Sequence, residues 1–320
     1  MSKFIGRLGN VGIAKEATSG TIVTPTFYVP FNSISFDDKT TTAREEEGLG
    51  RIEDSDSNLV VQKFGEGDLE FDLNDLNLGV MLTSLIGASP TTSGGPTYAH
   101  SFALANTNTH RTISLAYQDP DQTKIFPYTQ IDGLEITVEP ESIVKAKASF
   151  KSRVSKDWST LTPSYTTLGN KFLQQHLVIK TATNIAGLAA ASAISVKKLT
   201  LKIMANSEFD FALGTVEPEA ILNHQYTVEG EITLNKTDDT FRQLMLEGTY
   251  KAMDISFNKA ANSSLQFQFP RVDFSAWEQD RSLDDIVGQT IQFKGNYDSA
   301  NALASISTCI LTNTNAGASY

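Results

Sequence analysis

The chain has 320 residues, which is enough for two hydrophobic cores, and a formal net charge of −11 at pH 7. This acidic balance argues against a protein that grips nucleic acid through its phosphates. The single cysteine, Cys309, excludes an internal disulfide and a cysteine-based zinc cluster, and its apolar neighbours predict a buried position.

The first 26 residues show little periodicity and contain four glycines, so we predict an extended arm over 1–26 that packs on other structure. A first domain is predicted over 27–160. Near its start, Ile34 and Phe36 alternate with polar residues, which indicates a strand. The sequence contains neither the apolar segment of a signal peptide nor a run long enough to cross a bilayer, so no membrane contact is expected.

A polar segment over 39–57 separates this strand from the next one. It contains six acidic residues and two arginines, and polar insertions of this length between strands are often functional. A solvated loop without a role is the alternative interpretation. The charged residues are Arg44, Glu45, Glu46, Glu47, Arg51, Glu53, Asp54 and Asp56.

The stretch over 64–87 predicts a strand, a turn and a helix. Apolar residues first alternate with polar ones and then recur at helical spacing. Asn74 or Asp75 can cap this helix, and Gly87 ends it. Further strands are predicted over 98–104, 112–117, 124–128, 133–138 and 143–151.

The second half repeats this order of elements. A linker is predicted over 161–172, a second domain over 173–314 and a tail over 315–320. The stretch over 226–248 has the same pattern as 64–87, and a shorter loop over 214–220 takes the place of the acidic segment. The matched pairs are Glu66-Gly67 with Glu229-Gly230, Phe150-Lys151 with Phe293-Lys294, and Ser101-Phe102 with Ser256-Phe257.

This repetition favours a tandem duplication of one β-sandwich domain with a single flanking helix. Two unrelated antiparallel domains are the alternative. In either case the predicted fold is mainly β, because alternating segments bounded by turn residues dominate the chain.

No segment has the pattern of a catalytic or metal site. The histidines, His100, His110, His176 and His224, are not spaced as metal ligands. Motifs for nucleotide binding, serine hydrolysis and zinc proteolysis are lacking, and the acidic pairs lie in turn-like sequence. We therefore predict a protein that is not an enzyme and has no cofactor.

Several segments resemble the tail tube proteins of siphophages, the phages with long non-contractile tails. They are GIAKEATSGTIVTPTFYVPF over 12–31, Gly50-Arg51, Gly65-Glu66-Gly67 and YAHSF over 98–102. The resemblance covers most of 10–155 and, more loosely, 228–245 in the second copy. The resemblance rests on the order of these segments. With its two copies, the chain resembles a two-domain, tandemly duplicated version of the family.

The resemblance implies a structural protein of the phage virion, assembled in the host cytoplasm. In this family the sheets of neighbours join into a ring-shaped barrel, and stacked rings form the tube that conducts double-stranded DNA without binding it specifically. Two copies of the domain per chain imply trimeric, pseudo-sixfold rings. The implied partners are further copies of the chain, a tape measure protein, and tail terminator and tail tip proteins.

The resemblance also implies that the segment over 39–57 contacts the next ring. Its charged residues then need partners there, and lysines that alternate along predicted strands are candidates. These lysines are Lys145, Lys147, Lys151, Lys198 and Lys202. The two inter-strand loops depart from the family in length, so an identical role for both is not implied.

A second class of function stays open, a two-domain binding module of a tail-tip, baseplate or receptor-binding protein. Exposed aromatic clusters at loop tips would favour it. The only tryptophans, Trp158 and Trp277, lie near predicted strand ends and do not pair in sequence. Electron microscopy distinguishes the two classes, because a tube protein forms rings or tubes and a binding module forms discrete particles.

Overall fold

The computed structural model describes residues 5–45, 47, 50–52, 57–165, 169–281, 286–316 and 320. Strands account for 52% of the residues and helices for 9%, so the predicted mainly β fold is confirmed. The alternation of apolar and polar residues explains this outcome, because each long strand buries one of its two faces.

Strands follow one another along the whole chain. In chain order they are β1 (Asn10–Lys15), β2 (Phe27–Val29), β3 (Phe31–Ile34), β4 (Asp37–Arg44), β5 (Asn58–Asp72), β6 (Thr91–Gly94), β7 (Tyr98–Phe102), β8 (Ile113–Gln118), β9 (Thr123–Val138), β10 (Lys145–Ser152), β11 (Lys156–Asp157), β12 (Leu177–Ala182), β13 (Ala193–Ile194), β14 (Lys198–Met204), β15 (Glu208–Asp210), β16 (Ala220–Leu222), β17 (Thr227–Asn235), β18 (Lys251–Ala260), β19 (Ser263–Asp280), β20 (Gly288–Asn296) and β21 (Thr308–Asn313). The α-helices are α1 (Leu78–Ile86), α2 (Ile185–Leu188) and α3 (Thr240–Glu247), and short 3₁₀ helices lie at Gly6–Leu8 and Gln174–His176.

One antiparallel sheet runs through both halves of the chain. Across its middle, β3 and β4 pair with β5, followed by β10, β9, β14, β17, β20 and β19. We call this the central sheet. Its two halves meet where β9 pairs with β14, a junction that places Glu135 opposite Lys202.

Outer strands pack over one face of the central sheet in each half. β9 continues into pairing with β8, which carries β1 and β2, and β19 continues into pairing with β18, which carries β12 and β13. Val11 and Leu115 of the outer strands share one apolar core with Leu69 and Ile136 of the central sheet.

The two halves have matching registers. Phe150 lies opposite Gly67 between β10 and β5, and Phe293 lies opposite Gly230 between β20 and β17. A bulge interrupts the next pairing at the same place in each half, beside Phe150 in one and beside Phe293 in the other. The predicted matches of these glycines and phenylalanines therefore fall at equivalent ladder positions.

The third predicted match was wrong. Ser256 lies in β18, whose position beside β19 corresponds to that of β8 beside β9. Ser101 lies in β7, which pairs with β21 and carries β6 on its other side. A two-residue match failed here because alternating strands repeat such pairs at many places in a sheet.

Two segments that were predicted to be irregular contain strands. Asn10–Lys15, expected in an extended arm, forms β1 between β2 and β8. Residues 39–44 of the polar segment belong to β4 and pair with β5. Sequence periodicity did not indicate β4 because the strand is exposed on both faces and therefore has no apolar alternation.

Candidate assembly surfaces

The face of the central sheet that looks away from the core is charged. Its alternating residues are exposed or half-buried, whereas their neighbours along each strand are buried. We call it the polar face. Its charged residues are Glu66, Asp68, Glu70, Asp72, Glu135, Glu229, Glu231, Glu278 and Asp280, and Lys145, Lys147, Lys151, Lys198, Lys202 and Lys294. Carboxylates outnumber lysines, so the face is acidic.

Cross-strand ion pairs tie this face together. Lys147 Nζ lies 2.9 Å from Asp68 Oδ2, and Lys294 Nζ lies 2.9 Å from Glu229 Oε1. Burial tends to raise the pKa of the Asp68 carboxyl, but hydrogen bonds from Ser149 and Lys147 outweigh it and hold that pKa below its usual value. The lysines of the polar face are therefore largely neutralised by their own chain.

The five lysines predicted as partners of the acidic segment all lie on the polar face. Four of them pair with carboxylates of their own chain, and Lys145 lies opposite Asp72 in the ladder. The four pairs and their N–O distances are Lys147 with Asp68 at 2.9 Å, Lys151 with Asp132 at 3.4 Å, Lys198 with Glu139 at 2.9 Å and Lys202 with Glu135 at 3.5 Å. An acidic partner from another ring would have to compete with these carboxylates.

The polar segment itself is part of a hairpin that projects past the end of β10. β10 stops opposite Gly65, while the pairing of β4 with β5 continues to Arg44 and Asn58. We call residues 39–63 the hairpin arm. Its consecutive apolar residues Leu59, Val60 and Val61 are exposed by 52%, 44% and 42%. Successive side chains of a strand point to opposite faces, so these residues expose apolar surface on both sides of the two-stranded ribbon.

Of the charged residues predicted to contact the next ring, the described ones lie at the far end of the hairpin arm. Arg44 forms the last pair of the ladder, and the Glu45 N–H donates to the Ser57 carbonyl at 3.1 Å. Glu47 and Arg51 are exposed. Glu46, Glu53, Asp54 and Asp56 lie outside the described residues.

The base of the hairpin arm is held by the second half, which the sequence did not predict. The Lys63 N–H donates to the Val216 carbonyl at 2.7 Å, and the ring centroids of Phe64 and Phe209 are 4.7 Å apart. Arg153 donates through Nε to the Pro218 carbonyl at 2.9 Å. The contacting residues of the second half belong to the hairpin of β15 and β16, which contains the shorter loop over 214–220. This hairpin therefore holds the base of the hairpin arm in place.

The central sheet ends in two strand edges that have no backbone partner in the described part of the chain. One is the outer edge of β3 and of β4 as far as Ala43, where both strands pair on the side of β5. The other is the edge of β19 from Asp273 to Gln279, on the side away from β20. In the first half the edge equivalent to that of β19 belongs to β9, and it is filled by β14.

Each histidine has a partner within the chain, and the four partners are different groups. His100 is buried between Thr92 and Asn313, with 3.0 Å from its ring nitrogens to each partner. His110 is also buried, and burial lowers the pKa of both rings. The described residues contain no group of three His, Cys, Asp or Glu side chains able to hold a metal ion. Cys309 is fully buried, as predicted.

The tryptophans do not form an exposed aromatic cluster. Trp158 packs beside a small apolar cluster that includes Ile125 and Leu161. Trp277 is half-buried, and its Nε1 donates to Gln289 Oε1 at 2.8 Å. Neither arrangement is the exposed aromatic loop tip that would favour a binding module.

Comparisons with known proteins give one family. Residues 6–296 match the family model described as phage tail tube protein. No curated protein matches the chain. In the described residues, no helix is both long and apolar enough to cross a membrane.

Proposed function

Because the chain belongs to the phage tail tube protein family, we propose that it assembles as stacked trimeric, pseudo-sixfold rings whose lumen conducts double-stranded DNA during ejection. Family membership makes it a structural protein of the virion tail that self-assembles into a tube. We propose, beyond family membership, that three chains form each ring, that the rings stack and that DNA passes through them. We also propose assembly in the host cytoplasm, with a tape measure protein and with tail terminator and tail tip proteins as partners.

One observation supports rings. Within each chain, two strand edges from different halves already pair, as edges of neighbouring chains would have to do in a ring. β9 of the first half pairs edge to edge with β14 of the second half. In the matching registers β19 corresponds to β9, and β3 with β4 corresponds to β14. A repeat of this junction between β19 of one copy and β3 and β4 of the next would continue the central sheet from chain to chain.

The register of the inner junction predicts the register of the outer one. Glu135 and Glu278 hold equivalent positions beside β10 and β20, and Lys202 and Asp37 hold equivalent positions beside β17 and β5. Glu135 lies opposite Lys202 inside the chain. Glu278 of one copy would therefore lie opposite Asp37 of the next.

A closed ring of three chains uses both open edges. If each chain contains two copies of one domain, three chains supply the six similar units of a pseudo-sixfold ring. Closure removes edges that would leave a monomer prone to uncontrolled strand pairing. A barrel of so many strands also leaves a lumen, because the diameter grows with strand number.

The polar face would line that lumen. The other face of the central sheet is covered by the outer strands, so closing the sheet turns the polar face inward. Its excess carboxylates repel DNA phosphates, and lysines such as Lys147 and Lys294 already have carboxylate partners. DNA would therefore meet a wall that does not hold it.

The hairpin arm would contact the next ring. Contact with the next ring would cover its exposed apolar residues Leu59, Val60 and Val61, and it would bring charged groups near the exposed Arg51 at its tip. The acidic residues Glu45 to Asp56 would compete for the lysines of the polar face or for other cations of the neighbouring ring. The apolar and the charged contacts would both be made by the hairpin arm alone. The arm would therefore control the stacking of rings, and it would not contribute to the closure of a single ring.

The ring proposal is tested by assembly state and by register. We expect negative-stain electron microscopy to show rings or tubes, and native mass spectrometry of rings to give three chains. A ring of six chains would reject the duplication and keep the tube, whereas discrete particles would favour the binding module.

Register is tested with a pair of cysteine variants. Asp37→Cys and Glu278→Cys chains, mixed and treated with a short thiol cross-linker, should form dimers, and each variant alone should not. Cys309 does not interfere, because its side chain is fully buried and burial raises the pKa of its thiol. No cross-link in assembled rings would reject the proposed register.

A further inference from the structure

A groove of about 680 Å³ lies along the open edge of β3. Its lining includes Arg7 of the first 3₁₀ helix, Phe31 and Ile34 of β3, and the rings of Tyr117 and Tyr165. We call it the β3 groove. The rings of Phe31 and Tyr117 meet edge to face with centroids 6.3 Å apart, and the Tyr165 hydroxyl donates to Asn10 Oδ1 at 2.9 Å. The aromatic walls are therefore held in place without an occupant.

The second half has a small cavity at the equivalent place, with a volume of about 110 Å³. Gln174 and Gln175 of the second 3₁₀ helix line it, as Arg7 of the first 3₁₀ helix lines the β3 groove. Leu199 lines it from β14, as Ile34 does from β3. Leu199 lies opposite Ile232, and Ile34 lies opposite Leu69. Ile232 and Leu69 hold equivalent positions in the two ladders.

The turn between β9 and β10 forms one wall of the second cavity. Val138 at the end of β9 and Glu139 in the turn are part of its lining. The Glu139 carboxylate lies 2.9 Å from Lys198 Nζ, and the Glu141 N–H donates to Gln174 Oε1 at 2.7 Å. A turn of the first half thus contacts β14 and the second 3₁₀ helix of the second half.

We propose that the β3 groove receives the turn between β19 and β20 of a second copy of this chain. This turn follows β19 as the turn at the second cavity follows β9, and the two hairpins have the same register and the same bulge. Its described apolar residues are exposed, Ile286 by 72% and Val287 by 36%. The inference rests on the proposed ring and identifies the surface that selects the neighbouring chain.

Position and chemistry agree in this arrangement. Pairing of β19 with β3 in the register of the inner junction would bring Arg281, the residue after β19, opposite Ile34 at the end of β3. The chain beyond Arg281 would then enter the β3 groove from its open side. The Ile286 side chain would leave water and pack against Phe31 and the rings of Tyr117 and Tyr165. Transfer of an apolar side chain from water to an apolar surface is favourable.

Filling the groove from within tests the proposal. Gly6 lines the groove, and a β-carbon there would meet no atom within 4 Å, so Gly6→Trp adds a large ring at the groove wall without a clash at the β-carbon. We expect this variant to need at least tenfold more protein to form rings, with an unchanged melting temperature of the monomer. Gly6→Ala is the matched control and should assemble normally. Normal assembly of Gly6→Trp would overturn the proposal.

The occupant is tested from the other side. Ile286→Asp should weaken ring formation by a similar factor, whereas Leu246→Asp, at an equally exposed apolar position on α3, should not. Mixed Gly6→Cys and Ile286→Cys chains should cross-link with a short thiol reagent. Rings that cross-link between positions 37 and 278 but not between 6 and 286 would reject the groove alone. Assembled rings that show neither cross-link would reject the proposed register and the groove contact with it, whereas absence of rings in microscopy would reject the ring itself.

Discussion

Phe293 lies opposite Gly230, and its ring takes the space that a side chain at position 230 would need. A β-carbon on Gly230 would lie 2.3 Å from Cζ of Phe293 and 2.7 Å from the backbone oxygen of Thr200. Phe150 lies opposite Gly67 in the first half, but a β-carbon on Gly67 would meet the backbone of Ser35 and Phe36 at 2.5 Å. In the second half, the absence of a side chain at position 230 thus makes room for a phenylalanine ring in the core.

Gly230→Ala should therefore destabilise the folded chain. The added methyl group overpacks the core against a backbone atom that cannot move away freely, and such overpacking costs about 1–3 kcal/mol. Chemical denaturation followed by circular dichroism measures this loss. Gly288→Ala is the control in the same sheet, because the nearest atom to its β-carbon would be 3.9 Å away. Equal stability of the two variants would contradict the packing argument.

Acidification should destabilise the chain through its buried histidines. Burial lowers the pKa of His100 in the folded state, and the hydrogen bond with Asn313 offsets only part of this effect. The unfolded chain takes up the proton at an ordinary pKa of about 6.5, so it binds more protons than the folded chain just below that pH. The free energy of unfolding should therefore fall as the pH drops from 7 towards the lowered folded pKa.

The pH dependence should be weaker in His100→Gln. It should not vanish, because burial lowers the pKa of His110 as well. Urea titrations at pH 7 and pH 5 give the comparison. His224→Gln removes an exposed histidine that contacts Glu208 at 3.0 Å, so it shows the effect of losing a surface histidine for comparison with the buried one. An identical pH dependence in His100→Gln and the unaltered chain would show that His100 does not contribute.

Reversing one charge should strengthen the proposed ring. Asp37 and Glu278 would lie opposite each other as like charges, whereas Lys202 and Glu135 form an ion pair at the inner junction. Glu278→Lys should lower the protein concentration needed for rings by a few fold, since an exposed pair contributes about 0.2–1 kcal/mol. Sedimentation at low salt measures this, and high salt should reduce the gain.

The reverse substitution and the double variant are the controls for this charge reversal. Asp37→Lys alone should have the same effect as Glu278→Lys, while the double variant places two lysines opposite each other and should lose the gain. If the two single changes and the double change behave additively, the residues do not meet across the junction.

Deleting residues 45–55 should leave a folded chain whose rings do not stack. The deletion removes the tip of the hairpin arm but keeps the ladder up to the pair of Arg44 and Asn58. Closing a shorter loop changes the chain entropy little, about 0.6 kcal/mol per doubling of length. Thermal melting and electron microscopy together give the answer. Normal tubes would show that the tip is only a solvated loop, and loss of folding would show that it belongs to the core.

Local patterns predicted the elements that bury one face. The alternation over 64–73 and 227–234 indicated β5 and β17, and the glycines that follow the next helices end them. Gly87 and Gly248 adopt left-handed conformations with φ of 86° and 61°, as residues after helix ends often do. The equivalence of Gly67 with Gly230 could also be found, since the core leaves no alternative to glycine there.

Contacts between distant segments could not be predicted in this way. The pairing of β7 with β21 and the hydrogen bond from Lys63 to Val216 join the two halves. Backbone pairing of this kind leaves no trace in local periodicity, because any strand edge offers the same groups. The side-chain partners of Lys147 and Lys198 were missed for a related reason, since they depend on register.

The brace between Val216 and the base of the hairpin arm has a consequence for the symmetry of the tube. Only the first half of each chain has an arm, and the corresponding hairpin of the second half is used to hold it. A ring of three chains would therefore carry arms every 120°, separated by positions without one. Successive rings would dock in three equivalent rotations and not six, so an image reconstruction that imposed sixfold symmetry would blur each arm into its empty neighbour.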